Sequence, residues 1–272
     1  MSSAPEFGHD VTDGLVRAPG GDVLAPDGLA LPGARTGRDP ARAIKRGPSR
    51  LPPEVVAATQ RDRLFDGLVH VVAEKGYPAA RVSDICQAAG VTRPVFYTLF
   101  EGKDDAFLAT YRHGINVLVR MMEDACREAG DWRDGARTAL RTLLDVLSSV
   151  PAFATMAIVE IETAGPAARL ERAMMLRRFD QFFTGAPFAA ASAADPDDLL
   201  ATIVGGIYTT IYRYVLGGRV AELPSLAPTL TFFALAPFIG REAAEQELAR
   251  AQAAQGKAAP PCVPGGGTVV GR

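Results

Sequence analysis

Cationic and hydroxyl side chains gather between residues 81 and 107, around a glycine that permits a sharp turn. An arginine such as Arg93 can donate hydrogen bonds to a guanine edge or to a phosphate. The hydroxyl of Tyr97 and the ammonium of Lys103 suit phosphate oxygens. The segment reads as a helix, a turn at Gly90 and a second short helix, which is the arrangement that presents one helix to the DNA major groove. The spacing therefore predicts a DNA-binding unit.

Each position in this unit has a physical task. Thr92 is predicted to cap the second helix, because its hydroxyl can accept a hydrogen bond from an unpaired backbone N–H group. Pro94 follows in the first turn, where its missing donor costs little. Val95 can meet a thymine methyl group, and Thr98 is expected to face the groove. The full predicted DNA-binding set is Arg61, Arg63, Arg81, Thr92, Arg93, Pro94, Val95, Tyr97, Thr98 and Lys103.

The elements that must position these residues are helical. Apolar residues recur with the helical period from Pro53 to a stop at Gly76, and Lys103 is expected to begin a long fourth helix. No run shows strand alternation bounded by hairpin turns. The prediction is an all-α fold of about nine helices, with later segments at about 132–149, 151–163, 166–184, 196–216 and 225–250.

Composition limits the function classes. The chain has 272 residues and a formal net charge of -2, so any DNA contact must rest on local positive charge. The three cysteines are widely spaced, which argues against a disulfide framework and favours a reducing, cytoplasmic setting. The three histidines are isolated from one another, so no metal or cofactor is predicted. The longest apolar stretch, residues 199–212, is too short to cross a bilayer, so a soluble protein is expected.

Both ends of the chain are predicted to be disordered. Residues 1–48 and 252–272 are rich in Gly, Pro and Ala and show no sustained period. The N-terminal extension turns basic toward its end, through Arg35, Arg38, Arg42, Lys45, Arg46 and Arg50. Two interpretations stay open, namely a solvated tail or an arm that follows phosphates or enters a minor groove.

Residues 55–108 resemble the N-terminal domain of the tetracycline-repressor (TetR) family of bacterial regulators. The resemblance rests on QRDRLFDGLVHVVAEKGY and VSDICQAAGVTRPVFYTLFEGKDDAF. It implies that the third helix reads the major groove and that Tyr97 and Lys103 contact phosphates. The chain departs from the family pattern at Arg81, where Thr or Ser is frequent, and at Leu99, where His is frequent. The expected organisation is a DNA-binding domain at 49–108 and a helical domain at 109–251 that binds an effector and dimerises.

The resemblance also implies an effector pocket and a homodimer in the C-terminal domain. Met and Phe residues with a few polar groups suit an apolar or amphipathic ligand. The predicted pocket residues are Phe153, Met156, Glu160, Met174, Phe179, Tyr208 and Tyr212. The predicted dimer interface consists of Gly205, Gly206, Ile207, Ile211, Leu230, Phe233 and Phe238, although plain core packing remains an alternative for both sets.

The sequence therefore predicts a ligand-responsive transcriptional repressor that binds a palindromic double-stranded operator as a homodimer. One alternative is a constitutive architectural DNA-binding protein, which would lack a cavity. A second is an enzyme on a helical scaffold, against which stands the absence of nucleophile and metal-ligand motifs. A third is a protein-interaction module, which the basic face around Arg61, Arg63, Arg93 and Lys103 disfavours.

Overall fold

The computed structural model describes residues 16–17, 23–24, 30–38, 52–187 and 195–258. These residues form ten α-helices, which confirms the all-α prediction, and one antiparallel pair of two-residue strands. The strands are β1 (Val16–Arg17) and β2 (Val23–Leu24). The helices are α1 (Pro53–Lys75), α2 (Val82–Ala89), α3 (Arg93–Leu99), α4 (Lys103–Ala125), α5 (Trp132–Ser149), α6 (Pro151–Ala154), α7 (Pro166–Leu176), α8 (Pro196–Leu216), α9 (Ala227–Ile239) and α10 (Arg241–Ala258).

Helices α1 to α3 form a small helical domain whose inner faces contain little polar surface. The side chains of Ile85, Ala89 and Phe96 are completely buried. Helix α1 crosses α2 closely at Gly67, where an added Cβ would lie 2.8 Å from the backbone nitrogen of Ala89. Glycine and alanine are therefore required where these two helices touch, because a larger side chain would push them apart.

The chain turns into α4, which runs from the small domain into the C-terminal helices. The helix α6 continues as a π-helical segment, Thr155–Val159, and a 3-10 turn, Glu160–Glu162. Helix α7 likewise ends in a 3-10 stretch, Arg177–Phe183, and a further 3-10 segment, Val220–Leu226, leads into α9. Short π-helical segments are frequent at functional sites, which makes the end of α6 a candidate position for one.

Residues 30–38, here called the strap, pack against α1 and α2. Leu31 is fully buried, and the Gly33 N–H donates to Oδ1 of buried Asp66 at 2.8 Å. Gly33 has φ +83°, and a Cβ there would lie 2.5 Å from Cγ1 of Val69. The prediction of disorder for residues 1–48 is therefore wrong for the strap, because a single large apolar residue and two closely packed glycines give no periodic signal.

Side chains of the small domain hold the strap along its length. Nε of Arg63 donates to the carbonyl oxygen of Gly37 at 2.9 Å, and Nε of Arg38 donates to the carbonyl oxygen of Gln87 at 2.8 Å. Nε2 of His70 lies 3.0 Å from the carbonyl oxygen of Arg35. The strap thus ends beside the turn that precedes α3. Arg42, Lys45, Arg46 and Arg50 of the predicted basic arm lie outside the described residues.

The predicted C-terminal boundary also moves. Helix α10 continues to residue 258, past the predicted start of a disordered tail at 252. Its carboxylate Glu247 is 3% exposed and pairs with Arg137 of α5 at 2.6 Å, so α10 is part of the domain. Residues 259–272 lie outside the described part of the chain.

Two segments of the described residues are long and apolar enough to cross a membrane by length and composition, Pro196–Leu216 and Val220–Ile239. The prediction that the longest apolar stretch is too short to cross a bilayer is therefore wrong on length and composition, because the first segment continues beyond the run at 199–212 and the second lies outside it. A third would count if α5 and α6 with its extension, which meet at a bend of 106°, formed one span. One third of the first window and half of the second are buried inside the fold. Part of their apolar character therefore serves the core, whereas Leu216 on α8 and Phe233 on α9 are exposed large apolar residues.

Candidate functional site: a DNA-reading face and an apolar cavity

Helix α3 presents a polar outer face over a buried aromatic anchor. Gly90 adopts the left-handed conformation, with φ 62° and ψ 36°, and its N–H bonds back to the end of α2. Phe96 is completely buried, whereas Tyr97 is 58% exposed. Arg93 and Pro94 are exposed as well. The outer face of α3 is therefore free to meet a ligand as large as a DNA duplex.

Two predicted roles within α3 change. Thr92 has the extended backbone of an N-cap, but its side chain makes no capping hydrogen bond, so that prediction is wrong. The exposed hydroxyl is left available on the surface. Thr98 donates its hydroxyl to the carbonyl oxygen of Val95 at 2.7 Å, and Val95 packs partly against the core. Arg93, Tyr97 and Thr98 are thus the exposed polar residues of α3, and the Thr98 hydroxyl is already bonded within the helix.

The predicted DNA-binding cations differ in their exposure and in the hydrogen bonds that they already make within the chain. Arg61 and Arg81 are exposed. Arg63 is half-buried and donates both to the strap and, at 3.3 Å, to the carbonyl oxygen of Gly90, so it supports the turn from within. Lys103 donates to the carbonyl oxygen of Tyr77 at 2.9 Å and lies 4.2 Å from the centroid of that ring. Because an ammonium group has three donors, Lys103 keeps two for another acceptor.

Tyr77 joins the small domain to the C-terminal helices. Its backbone N–H donates to Oε2 of Glu160 at 2.7 Å, and its ring packs edge-on against Phe107 of α4 at 4.8 Å. Its hydroxyl donates to Asp104, and burial raises the pKa of Tyr77 above its ordinary value. Glu160 was predicted to line a pocket. In the structure its carboxylate instead accepts a hydrogen bond from Tyr77, which lies in the turn between α1 and α2.

An apolar cavity of about 70 Å³ lies between α4, α5, α7, α8 and α9. Its wall is almost entirely carbon, from residues that include Ile115, Leu118, Leu140, Leu143, Phe182 and Ile207. Such a wall suits an alkyl or aromatic group, because the binding free energy becomes more favourable with each unit of apolar surface area that is removed from water. The cavity has the composition that the sequence predicts, although only part of its lining was identified in advance.

Of the seven predicted pocket residues, Phe179 and Tyr208 line the cavity. Phe153 and Met156 are completely buried core residues instead, and Phe153 packs so tightly on Gly114 that a Cβ there would lie 2.2 Å from its Cε2. Met174 is 52% exposed, because it lies on the outer side of α7, whereas the neighbouring Met175 lines the cavity. Tyr212 does not line the cavity and stacks on Tyr208 with ring centroids 6.4 Å apart.

A polar cluster that the sequence did not predict closes one end of the cavity. The Tyr208 hydroxyl lies 2.9 Å from Oε1 of Glu162 and 2.9 Å from the carbonyl oxygen of Ile158. Nε of Arg172 lies 2.9 Å from the same carboxylate oxygen. Tyr111 is 1% exposed, lines the cavity, and its hydroxyl has no hydrogen-bond partner among the described residues. Only tertiary packing brings these four residues together, so no sequence spacing announces them.

The predicted interface residues divide into two groups. Ile207, Ile211, Leu230 and Phe238 are buried within one chain, so they are core residues with little area left for a partner. Gly206 packs under Phe233, where an added Cβ would lie 2.8 Å from the ring. Gly205 faces open space, and Phe233 is 41% exposed.

The described ranges hold no group of three or more His, Cys, Asp or Glu residues placed to bind a metal ion. His70 contacts the strap, and His113 stacks on Phe65 with ring centroids 5.0 Å apart. Burial lowers the pKa of His113 below its ordinary value.

Comparison with known proteins decides what the α1 to α4 region is. Residues 64–110 match the family model of bacterial regulatory proteins of the tetR family. Residues 64–110 are thus similar to the N-terminal domain of TetR-family regulators. The matched range contains α2, α3 and the entry to α4, and therefore every residue placed above on the outer face of α3.

Two curated relatives are similar over part of the chain. One is the HTH-type transcriptional activator FasR of Mycolicibacterium smegmatis, 32% identical over 108 residues, or 40% of this chain and 47% of the relative. The other is the fatty acid metabolism regulator protein of Bacillus subtilis, 30% identical over 66 residues, or 24% of this chain and 34% of the relative. The chain thus spans less than half the length of these curated relatives.

Solved structures share the fold over a longer range. FadR of Bacillus subtilis in complex with stearoyl-CoA aligns with a TM-score of 0.57 and 19% identity, covering 65% of this chain and 97% of that one. FadR of Bacillus halodurans, a fatty acid degradation regulator, aligns with a TM-score of 0.59 and 20% identity, covering 72% and 98%. At these identities the likeness concerns the fold.

Proposed function

We propose that this protein is a ligand-responsive transcriptional regulator that reads double-stranded DNA through the outer face of α3. The observation that carries the proposal is the exposed Arg93 and Tyr97 on a buried aromatic anchor, within a domain similar to that of TetR-family regulators. Arg93 gives base discrimination, while Tyr97 and Lys103 give sequence-independent phosphate contacts. Arg61 and Arg81 extend the phosphate contacts at the edge of the domain.

The ligand is proposed to be a long-chain acyl compound. One curated relative is named a fatty acid metabolism regulator, one structural neighbour is named a fatty acid degradation regulator, and another was solved with stearoyl-CoA. The carbon-lined cavity of this chain supports the same ligand class. Because ligand pockets commonly measure about 300–1,000 Å³, a cavity of about 70 Å³ has to widen as the ligand enters. A ligand that requires such a change favours one conformation of the protein over the other, which is the condition for a switch.

A homodimer is proposed to form through the outer face of α8 and α9. This face carries the open position at Gly205, the exposed Phe233 and the exposed Leu216 at the end of α8. Two domains on a twofold axis would read half-sites about 34–36 Å apart. Gly205→Arg tests the interface, because nothing in one chain opposes a side chain there. The variant is expected to be a folded monomer by light scattering with much weaker operator binding, and a Gly205→Arg dimer would refute this surface.

Repression with release of the operator by the ligand remains our proposal for the direction of control, and FasR, which is named an activator, makes activation the competing outcome. We further propose that the protein is cytoplasmic and has no catalytic activity, because its relatives are named as transcriptional regulators. A constitutive architectural DNA-binding protein is the second candidate, and it predicts operator affinity that no acyl ligand changes.

Footprinting on the upstream region of the protein's own gene, with and without an acyl-CoA, tests the whole proposal. We expect a protected palindrome whose occupancy changes severalfold with the acyl-CoA, at one fixed salt concentration. A protein that protects no duplex at low salt would refute DNA reading. Protection that is indifferent to every acyl chain length would leave the architectural alternative.

A further inference from the structure

The hydroxyl of Tyr111 is a hydrogen-bonding group without a partner. Tyr111 lies on α4, is 1% exposed and lines the cavity, and no described atom accepts from or donates to its hydroxyl. Burying an unbonded hydroxyl is unfavourable, so native proteins keep few of them. Burial also raises the pKa of Tyr111, so the hydroxyl keeps its proton and remains a donor. A donor held in this way is suited to an acceptor that arrives with a ligand.

The charges beside Tyr111 decide what kind of acceptor fits. Glu162 and Arg172 are already paired at 2.9 Å, and Glu162 also accepts from Tyr208. A carboxylate entering this end of the cavity would meet a guanidinium whose charge Glu162 already balances, and the Glu162 carboxylate would repel it. A buried charge without a partner is strongly disfavoured, whereas a neutral carbonyl meets no such penalty.

The same cluster reaches the protein surface. The side chains of Arg172 and Glu162 are 24% and 29% exposed, whereas Tyr111 behind them is closed off. An alkyl chain lying along Leu140, Leu143 and Phe182 would place its first carbon atoms near this cluster and leave a bulky head group outside.

We propose that Tyr111 donates a hydrogen bond to the neutral carbonyl of an acylated ligand, and that this subsite selects a thioester or ester over a free fatty acid. The proposal rests on the proposed function, because it specifies the ligand of the same cavity. A second unbonded hydroxyl, Thr231 Oγ1 on α9, also lines the cavity and provides an internal control.

The test compares ligands that differ at one atom or charge, with the full-length protein and calorimetric or fluorescence titration. Dodecanoyl-CoA is compared with S-dodecyl-CoA, a thioether that lacks the carbonyl. Wild-type protein is expected to bind the thioester about tenfold more tightly, which is the effect of one buried hydrogen bond. Tyr111→Phe is expected to bind the two equally, and Thr231→Val is expected to keep the tenfold difference. Dodecanoic acid is expected to bind more weakly than the neutral N-acetylcysteamine thioester of the same acid.

Stability gives a readout that separates a ligand contact from a structural role. Tyr111→Phe removes an unbonded buried hydroxyl, so the ligand-free variant is expected to melt at the same temperature as wild type or higher. A melting temperature several degrees lower would show that the hydroxyl serves the fold and would overturn the proposal. So would a tenfold preference that survives Tyr111→Phe, or a fatty acid that binds as tightly as its neutral thioester.

Failure of the subsite is distinguishable from failure of the proposed function. If both CoA compounds bind equally and both change operator occupancy, the carbonyl contact is wrong and ligand-responsive regulation stands. If neither compound binds and neither alters the operator complex, the acyl-responsive function falls and the subsite falls with it.

Discussion

Removing the Glu160 carboxylate should uncouple the DNA-reading domain from the cavity. Glu160 and Glu162 occupy the two ends of one 3-10 turn. Glu160 holds the backbone N–H of Tyr77 at 2.7 Å, and Glu162 holds Tyr208 at the cavity wall. A ligand that displaces Tyr208 therefore acts on the same turn that fixes the start of α2. We expect Glu160→Ala to reduce the ratio of operator dissociation constants measured with and without dodecanoyl-CoA.

The stability cost of the same change follows from the environment of Tyr77. The residue is 7% exposed, so Glu160→Ala leaves its N–H unbonded in a largely buried place. An unbonded buried donor costs about 1–3 kcal/mol, and for a chain of this size about 2 kcal/mol corresponds to roughly 4–8 °C in melting temperature. Glu160→Gln should lose less, because an amide oxygen still accepts, although without the charge.

Thermal melting and fluorescence anisotropy on a labelled operator measure both effects. The matched control is Glu245→Ala, which removes a carboxylate paired with exposed Arg241 at 2.7 Å and should cost little. The reasoning is refuted if Glu160→Ala melts with the control and responds to the ligand like wild type. A loss of stability with an unchanged ligand response would refute only the coupling.

Three further changes test other parts of the structure. Gly33→Ala should lower the melting temperature markedly, because φ is +83° and a Cβ would lie 2.5 Å from Cγ1 of Val69, whereas Gly102→Ala, with nothing within 4 Å, should melt close to wild type. Tyr97→Phe should weaken binding to all duplexes, and Lys103→Ala should do so while also reducing the salt slope, whereas Arg93→Ala should relax preference at one base position; an Arg93→Ala protein with unchanged affinity and preference contradicts the assignment of α3. Because burial lowers the pKa of His113, the unfolded chain binds a proton more readily, so stability should fall as pH falls from about 7 to 5 and His113→Gln should flatten that dependence in denaturation at several pH values.

The DNA-reading unit could be predicted because its signals are local. The left-handed Gly90, the proline in the first turn of α3 and the buried Phe96 fall within seven residues of one another. Most helix bounds were also close to the observed ones, since the helical period of apolar residues persists over several turns. The single helix predicted at 225–250 was wrong, because the chain breaks at Gly240 into Ala227–Ile239 and Arg241–Ala258. The wrong prediction of a hydroxyl cap at Thr92 shows the limit, because the residue type indicates a capping position without deciding whether the hydroxyl bonds.

The cavity and the interface were less predictable because they depend on which face of a helix packs against which neighbour. On α7, Met174 points outward and Met175 inward, so a shift of one residue separates surface from wall. On α8, Ile207 and Ile211 form an apolar stripe that looks the same whether a second chain or the remainder of the same chain covers it. The unbonded hydroxyl of Tyr111 could not be predicted, because the absence of a partner is a property of the folded neighbourhood.

The strap determines the order in which segments of the DNA-reading domain can pack during translation. Its residues leave the ribosome before those of every described helix, yet its partners Asp66 and Gln87 lie 33 and 49 positions further along. An added Cβ at Gly33 would also lie 3.7 Å from Val150, at the end of α5. The strap is thus translated before the helices but is among the last segments to pack. In a nascent chain shorter than about half the protein, the DNA-reading domain is therefore incompletely folded.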